Sequence, residues 1–501
     1  MKRPALFAAL LITLPLAACA SAPIIPRADV ATPTGQVSDY LSRIERLDDA
    51  GPQLNAVLAI NPDALRAAQA QLGSSLPLAG KAVLVKDNIE TADKMATTAG
   101  SLALKDNVTG RDAPLIARLR ASGAVVLGKT NLSEWANIRS NSSSSGWSAT
   151  GGQTRNPHAI DRNSCGSSSG SGSAIAAGLA WAAIGTETDG SITCPASVNG
   201  IVGLKPTVGL VSRTHVVPIS HSQDTPGPMT ANVRDAALLL NAIAGSDPAD
   251  KATARADLHV TDFAAGLDSA SLKGVRIGVM RRQVGDHPGV ARLFEQALAD
   301  LKAAGAVLVD VDYQFDPALG RDEGLVLRWE LKHDLAAYLA SLPGNVPVRT
   351  LSDVIAFNKA HAGEELRWFG QETFEAADQL TDRDAYEKAR ANSLRLAGKE
   401  GIDRLLAENK VSLLIAPTAG PAWPIDLVTG DHFLDIGAGT LPAVAGYPHL
   451  SVPMGAVEGL PIGLSFIAAA WEDKRVLEAG AAYERARTVP LHQPTFKRWG
   501  E

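Results

Sequence analysis

Lys86, Ser167 and Ser191 are the residues whose types and settings suit covalent chemistry. A serine hydroxyl is a poor nucleophile until a base takes its proton. Ser191 follows Asp189-Gly190 and precedes Ile192-Thr193-Cys194-Pro195, which places it in a Gly-containing turn before a Pro. The first base to look for is a histidine in a Ser-His-Asp arrangement. The ten His residues offer no such arrangement by spacing. Ser191 stands in no G-x-S-x-G elbow, and the chain has no S-x-x-K pair. A buried lysine remains. Lys86 closes a continuous apolar run, KAVLV (81–85), and precedes Asp87-Asn88. Burial there would disfavour the ammonium and lower its pKa, as a general base requires. The other reading is a surface lysine at a strand end, and spacing alone leaves both open.

These residues need elements to hold them. From Ser38 onward, helix-like segments alternate with short apolar strands. Helices are expected at Asp39–Ala50, Asp63–Leu72 and Ala113–Ser122, and strands at Lys81–Val85 and Ala124–Leu127. Strand, helix, strand at this spacing predicts an α/β fold. Residues 139–173 are rich in Ser and Gly, a composition usual in linkers. Here an apolar small-residue helix is expected directly after, at Ala174–Ala183, followed by the turn Gly185–Ser191. Gly-Ser loops that open onto helix N-termini present backbone N–H groups to an anion. Later strands are expected at Arg276–Met280, Val307–Val311, Ser412–Ala416 and Pro461–Ile467, with a helix at Gly289–Ala303. Helical patterns at 322–341, 350–377 and 383–408 form an insertion around 320–408. No linker interrupts residues 38–501, so one large domain is expected.

The N-terminus reads as an address. Lys2 and Arg3 precede a short apolar stretch ending Leu16-Ala17-Ala18-Cys19. This is the layout of an export signal over residues 1–18. The ending resembles a bacterial lipobox, which would make Cys19 the lipidated first residue of the mature chain. The plainer reading is cleavage after Ala18 or Ala20, with Cys19 incidental. Residues 19–37 read as an extended tether. The expected location is the periplasmic side, on a lipid anchor that is the only membrane contact. Losing Lys2 and Arg3 would take the net charge from −6 to −8. With no basic stripe, nucleic-acid binding is not expected. At 46% hydrophobic and 20% charged residues, disorder is excluded. Cys165 and Cys194 then remain, as a bridge or as two buried thiols; neither has metal-site spacing.

Two segments, GSSSGSGSAIAAGL (166–179) and GTETDGSITCP (185–195), resemble the amidase signature family. The likeness continues in LPLAGKAVLVKDNIE (76–90), GAVVLGKTNLSEWAN (123–137), GIVGLKPTVGLVS (200–212), SQDTPGPM (222–229) and GYPHLSVPMG (446–455). Such a resemblance implies an α/β domain with a mixed β-sheet covered by helices on both faces. It implies an amidohydrolase in which Lys86 is the base, Ser191 the nucleophile and Ser167 the bridging serine, preceded by a cis peptide bond. Ser168 would join the same network. Backbone N–H groups of Thr188, Asp189, Gly190 and Ser191 would form the oxyanion hole. No metal or organic cofactor is implied, and the partner is a small amide or an amidated peptide. The oligomeric state is not indicated.

The chain departs from the family pattern at two positions. Asp189 stands where Gly is common, and Thr193 where Arg is common. A carboxylate near a developing oxyanion must point away or serve the substrate, or else Asp189 caps the following turn. Thr193 would line the pocket with a small polar wall. These departures resemble the peptide amidase branch, which implies removal of C-terminal amides as ammonia. Trp147 and the aromatics of the insertion would hold peptide side chains, with core packing the leading reading for Trp329 and Trp368 individually. A broader aryl, aliphatic or fatty amidase is the alternative. The tRNA-linked amidotransferase of the same fold fits poorly with an export signal, and a non-enzymatic binding lipoprotein would leave three filled catalytic positions unexplained.

Overall fold

Apolar runs of four to nine residues build the sheet that carries everything else. A computed structural model describes residues 32–501, so the expected signal segment, Cys19 and most of the tether lie outside the described residues. Eleven strands form one sheet: β1 (Val57–Ile60), β2 (Ala82–Lys86), β3 (Val125–Thr130), β4 (Ala182–Glu187), β5 (Val202–Lys205), β6 (Thr225–Thr230), β7 (Arg276–Val279), β8 (Val307–Asp310), β9 (Leu413–Pro417), β10 (His449–Val457) and β11 (Leu460–Ile467). Their spatial order is β1-β3-β2-β4-β6-β5-β10-β11-β9-β7-β8. Strand β2 pairs parallel with β3 and β4, and β7 pairs parallel with β8 and β9. The pairs between β4 and β9 are antiparallel, so the sheet is mixed, as expected.

Period-two alternation sends side chains to both faces, and both are covered. Val83 and Val85 of β2 join one core with α2 (Pro114–Ala121), α5 (Val233–Ile243), α6 (Pro288–Ala303) and α9 (Asp473–Ala486). Ala82 and Leu84 join the opposite core with α1 (Pro33–Ile44), α3 (Ser169–Ala176) and α4 (Thr193–Val198). Between β8 and β9 the chain is helical from α7 (Pro317–Ser341) through α8 (Arg383–Leu394) to Asn409 and contributes no strand. No helix among the described residues is long and apolar enough to cross a membrane.

Three of the differences from the sequence reading have a plain local cause. Helix α1 begins at Pro33, inside the segment read as tether, because Thr32 Oγ1 accepts from Gly35 N at 3.2 Å and Pro33 occupies the first turn. Helix α3 begins within the Ser-Gly run and ends at Ala176. Gly178, at φ 69°, then turns the chain, so the apolar residues that follow become β4 rather than more helix. Strand β6, TPGPMT, was hidden by its prolines. Pro226 and Pro228 stand at alternate positions, so both missing donors fall on one edge while all six residues still pair with β4.

Candidate active site

Three elements converge at the end of β2. Lys86 shares the parity of Ala82 and Leu84, which points it toward the face that carries α3 and α4. Ser167 and Ser168 lie just before α3, and the loop 188–192 joins β4 to α4. Lys86 is fully buried, which excludes the surface reading. Its Nζ donates to Ser167 Oγ at 2.8 Å, Thr186 Oγ1 at 2.8 Å and Thr186 O at 3.2 Å. Burial lowers its pKa to about 7, against the opposing pull of Asp224 and Glu187. A neutral amine has two N–H donors and one lone pair. The two Thr186 oxygens take the donors, and the lone pair is left facing the Ser167 hydroxyl.

The Gly166–Ser167 peptide bond is cis. Ser168 ties the parts together: its Oγ donates to Thr186 O at 3.0 Å and accepts from Thr186 N at 3.2 Å, and its N–H donates to Ser191 O at 3.1 Å. The Ser191 hydroxyl has no hydrogen-bond partner among the described residues. The Lys86–Ser167 leg is therefore formed and the Ser167–Ser191 leg is not, a looseness common before substrate binds.

The loop around Ser191 presents backbone donors to one cavity. Among the described residues, the N–H groups of Thr188, Asp189, Gly190 and Ser191 meet no acceptor, and all four residues line one cavity. Gly190 has φ 75°, which a side chain would strain. Glu187 fastens the loop from beneath: its Oε2 accepts from Ile192 N at 2.8 Å, Thr193 N at 2.9 Å and Thr193 Oγ1 at 3.2 Å. Glu187, Thr186 and Asp224 were not singled out in the sequence. The only cue to them was position, since Thr186 and Glu187 follow the apolar half of β4 and Asp224 precedes β6. Asp224 accepts from Thr188 Oγ1 at 2.6 Å and from the N–H groups of Ile219 and Ser220, and burial raises its pKa to about 6.

The cavity has a volume of ≈ 590 Å³. Apolar side chains form much of its wall, among them Phe315, Leu327, Phe433, Leu434 and Leu441. Cys165 and Cys194 also line it and are disulfide-bonded, which closes the choice left open by their spacing. The bridge joins the segment before Ser167 to α4, three residues after Ser191.

Two expectations fail here. Thr193 is not a wall of the cavity. It is 1% exposed, and its hydroxyl faces Glu187 because α4 begins there and turns the side chain inward. Trp147 is 5% exposed and packs edge-on against Phe369 at 5.2 Å, away from the cavity. Among the insertion's aromatics, Trp329 stacks on Tyr386 at 5.2 Å between centroids, and neither lines the cavity. Asp189 does line it. Outside the site, His221, Glu330 and Asp334 offer ligand atoms within 4.8 Å of one another. Arg390 lies 3.5 Å from Glu330, and the Asp334 hydrogen bond raises the His221 pKa, so this cluster is an ion-pair network.

The amidase family model matches residues 37–477. The chain belongs to the amidase family. This amidase is 49% identical to a structure of native peptide amidase from Stenotrophomonas maltophilia, with TM-score 0.87 over 92% of this chain and 95% of that one. A structure of a peptide amidase in complex with the competitive inhibitor chymostatin is also 49% identical, with TM-score 0.88 over 93% of this chain and 96% of that one. A probable amidase of Arabidopsis thaliana is 38% identical over 90% of this chain and 86% of its own length. The family and these structures make the chain a hydrolase of the amidase signature class, on the single-domain α/β fold expected for it.

Proposed function

We propose that this amidase hydrolyses the C-terminal carboxamide of peptides through an acyl-enzyme on Ser191 and releases ammonia. The observation that carries the reading is the buried Lys86–Ser167 pair at 2.8 Å beside four unpaired backbone N–H groups in one cavity. Neutral Lys86 takes the Ser167 proton as Ser167 takes the Ser191 proton, and Ser191 Oγ bonds to the amide carbon. The oxyanion meets the N–H groups of residues 188–191; each such donor is worth about 3 kcal/mol to the transition state. The C–N bond then breaks, and the relayed proton leaves with the amine as ammonia. Water, deprotonated along the same path, cleaves the ester and restores Ser191. No step calls for a cofactor. The two peptide amidase structures at 49% identity support the peptide substrate. The apolar wall supports a second reading, a broader aryl or fatty amidase.

Ammonia release from a peptide amide, its free acid, an aryl amide and a fatty amide separates these readings. The expected result is release from the peptide amide, with mass spectrometry showing loss of the terminal amide alone. Rapid turnover of aryl or fatty amides beside inert peptide amides would replace the first reading with the second. The lipobox-like Leu16-Ala17-Ala18-Cys19 supports export and anchoring through a lipid on Cys19. Fatty-acid labelling is expected in the wild type and not in Cys19→Ala; equal labelling of both would refute the anchor.

A further inference from the structure

The cavity is one-signed. Two acidic residues line it, the half-buried Asp189 and the exposed Asp435, and no Lys, Arg or His does among the described residues. Asp189 is the nearer to the chemistry, two residues before Ser191 and within the loop of free N–H groups. Its carboxyl is held by a built support. Thr440 Oγ1 donates to Asp189 Oδ2 at 2.9 Å. Glu323 of α7 shares a hydrogen bond with Asp189. Gln223 Nε2 in turn donates to Glu323 Oε1 at 2.9 Å and to Thr188 O at 3.3 Å.

Two carboxyls in contact hold one proton between them. Glu323 is 7% exposed, and burial followed by the Asp189 charge raises its pKa well above the usual range. Glu323 is also the more buried of the two, so the shared proton rests with it. Asp189 opens on the cavity and carries the charge. The other charges acting on Asp189 are Glu187, which repels it, and the buried Lys205, which attracts it. Neither Glu187 nor Lys205 reaches the cavity wall.

We infer that Asp189, fixed by Glu323 and Thr440, is a specificity-determining residue that excludes amides carrying a carboxylate beside the scissile carbonyl. Neutral and cationic neighbours are accepted. Two like charges in a partly desolvated cavity repel, and no cation on the wall offsets them. Glu323 acts as a positioning residue: as a protonated donor it keeps Asp189 ionised and aimed at the cavity. The inference rests on Ser191 being the nucleophile, and it extends the proposed function by naming the side of substrate space that is closed.

The test uses two N-acetylated tripeptide amides that differ only in a terminal Asn or Asp, a pair of equal shape and unequal charge. In the wild type, kcat/KM for the Asp peptide is expected to be about tenfold lower or more. In Asp189→Asn the ratio should move severalfold toward one, with the exposed Asp435 left as the remaining charge. In Glu323→Gln, which still donates to Asp189, it should be kept. A ratio near one in the wild type, or an unchanged ratio in Asp189→Asn, overturns the inference. Should Asp189→Asn lack turnover, the Kd values of both peptides for Ser191→Ala and for Ser191→Ala/Asp189→Asn give the same ratio without chemistry. Succinamate and its methyl ester form a second pair outside peptides. Hydrolysis of the ester alone, with both peptides inert, would remove the peptide reading and leave the charge exclusion standing. Equal hydrolysis of both would remove the exclusion.

Discussion

On the proposed mechanism, the lone pair of Lys86 sets the pH at which this site works. Its ammonium is disfavoured by burial, and the pKa lies at about 7. Below that value the amine is protonated and cannot accept from Ser167. The expected profile is a kcat/KM that rises with pH through about 7 and levels above it. A flat profile between pH 6 and 8 would show that Lys86 is not the base. Ser191→Ala should lose amide hydrolysis with little change in melting temperature, because its hydroxyl makes no hydrogen bond with the described residues. Retained turnover in that variant would remove the nucleophile assignment. If Lys86, Ser167 and Ser191 act as one relay, Lys86→Ala/Ser191→Ala should be no worse than the worse single variant. Multiplying losses would argue for independent roles. At this scale residue type and motif together pointed to Lys86, Ser167 and Ser191, and the structure brings Lys86 and Ser167 into one buried pair. The sequence was misleading where side-chain direction decides: Thr193 sits two residues from the proposed nucleophile and turns away from the cavity.

Helix α3 shows how an element can hold chemistry without touching a reacting group. A Cβ on Gly170 would stand 2.2 Å from Ala56 O and 2.6 Å from Asn131 O, both backbone atoms that cannot swing aside. Gly170→Ala must therefore push α3 off the sheet, and Ser167 and Ser168 would move with it. A stability loss of about 1–3 kcal/mol is expected from such overpacking, read by urea unfolding, together with a fall in kcat. Unchanged kcat and stability would show that α3 is free to shift. The Cys165–Cys194 bridge acts on the same elements from the other side. It closes a loop of sequence separation 29. Chain entropy then assigns it about 3.5 kcal/mol, so Cys165→Ser/Cys194→Ser should unfold at clearly lower denaturant. An equal midpoint would mean the bridge constrains nothing. The element level was legible for β2 and α6, whose patterns are long or strongly apolar. It was not legible for α3, because Ser and Gly are weak helix formers and hid its first turn. Nor was it legible for β6, where Pro signals a break and only the pairing with β4 shows a strand.

Across the whole molecule, burial of titratable groups predicts that stability and turnover move in opposite directions with pH. Burial raises Asp48, Asp87, Asp189 and Asp224 to about 6 and Glu484 to about 7. In the unfolded chain these carboxyls titrate near 4. Between those values the folded state holds more protons than the unfolded one, so lowering the pH from about 7 to about 5 stabilises the fold. His158 and His449 oppose this. Burial lowers them to about 4 and about 3, so the unfolded chain protonates first below 6.5 and the fold loses stability there. Lys86 and Lys205, lowered to about 7 and about 8, also oppose it, but only at the top of the range, because below those values both states are protonated. Five carboxyls outweigh two imidazoles of similar shift and the smaller contribution of the two lysines, so the melting temperature should be higher at pH 5.5 than at pH 7.5. Turnover should be lower at pH 5.5, because Lys86 is then charged. The two curves cross because one cause, desolvation, favours the neutral form of every group: neutral acids stabilise the fold at low pH, and on the proposed mechanism a neutral lysine drives the reaction at high pH. Calorimetric scans and ammonia release across that range, in one buffer series at fixed ionic strength, check both halves. A melting temperature that falls together with turnover as the medium is acidified would refute the dominance of the buried carboxyls.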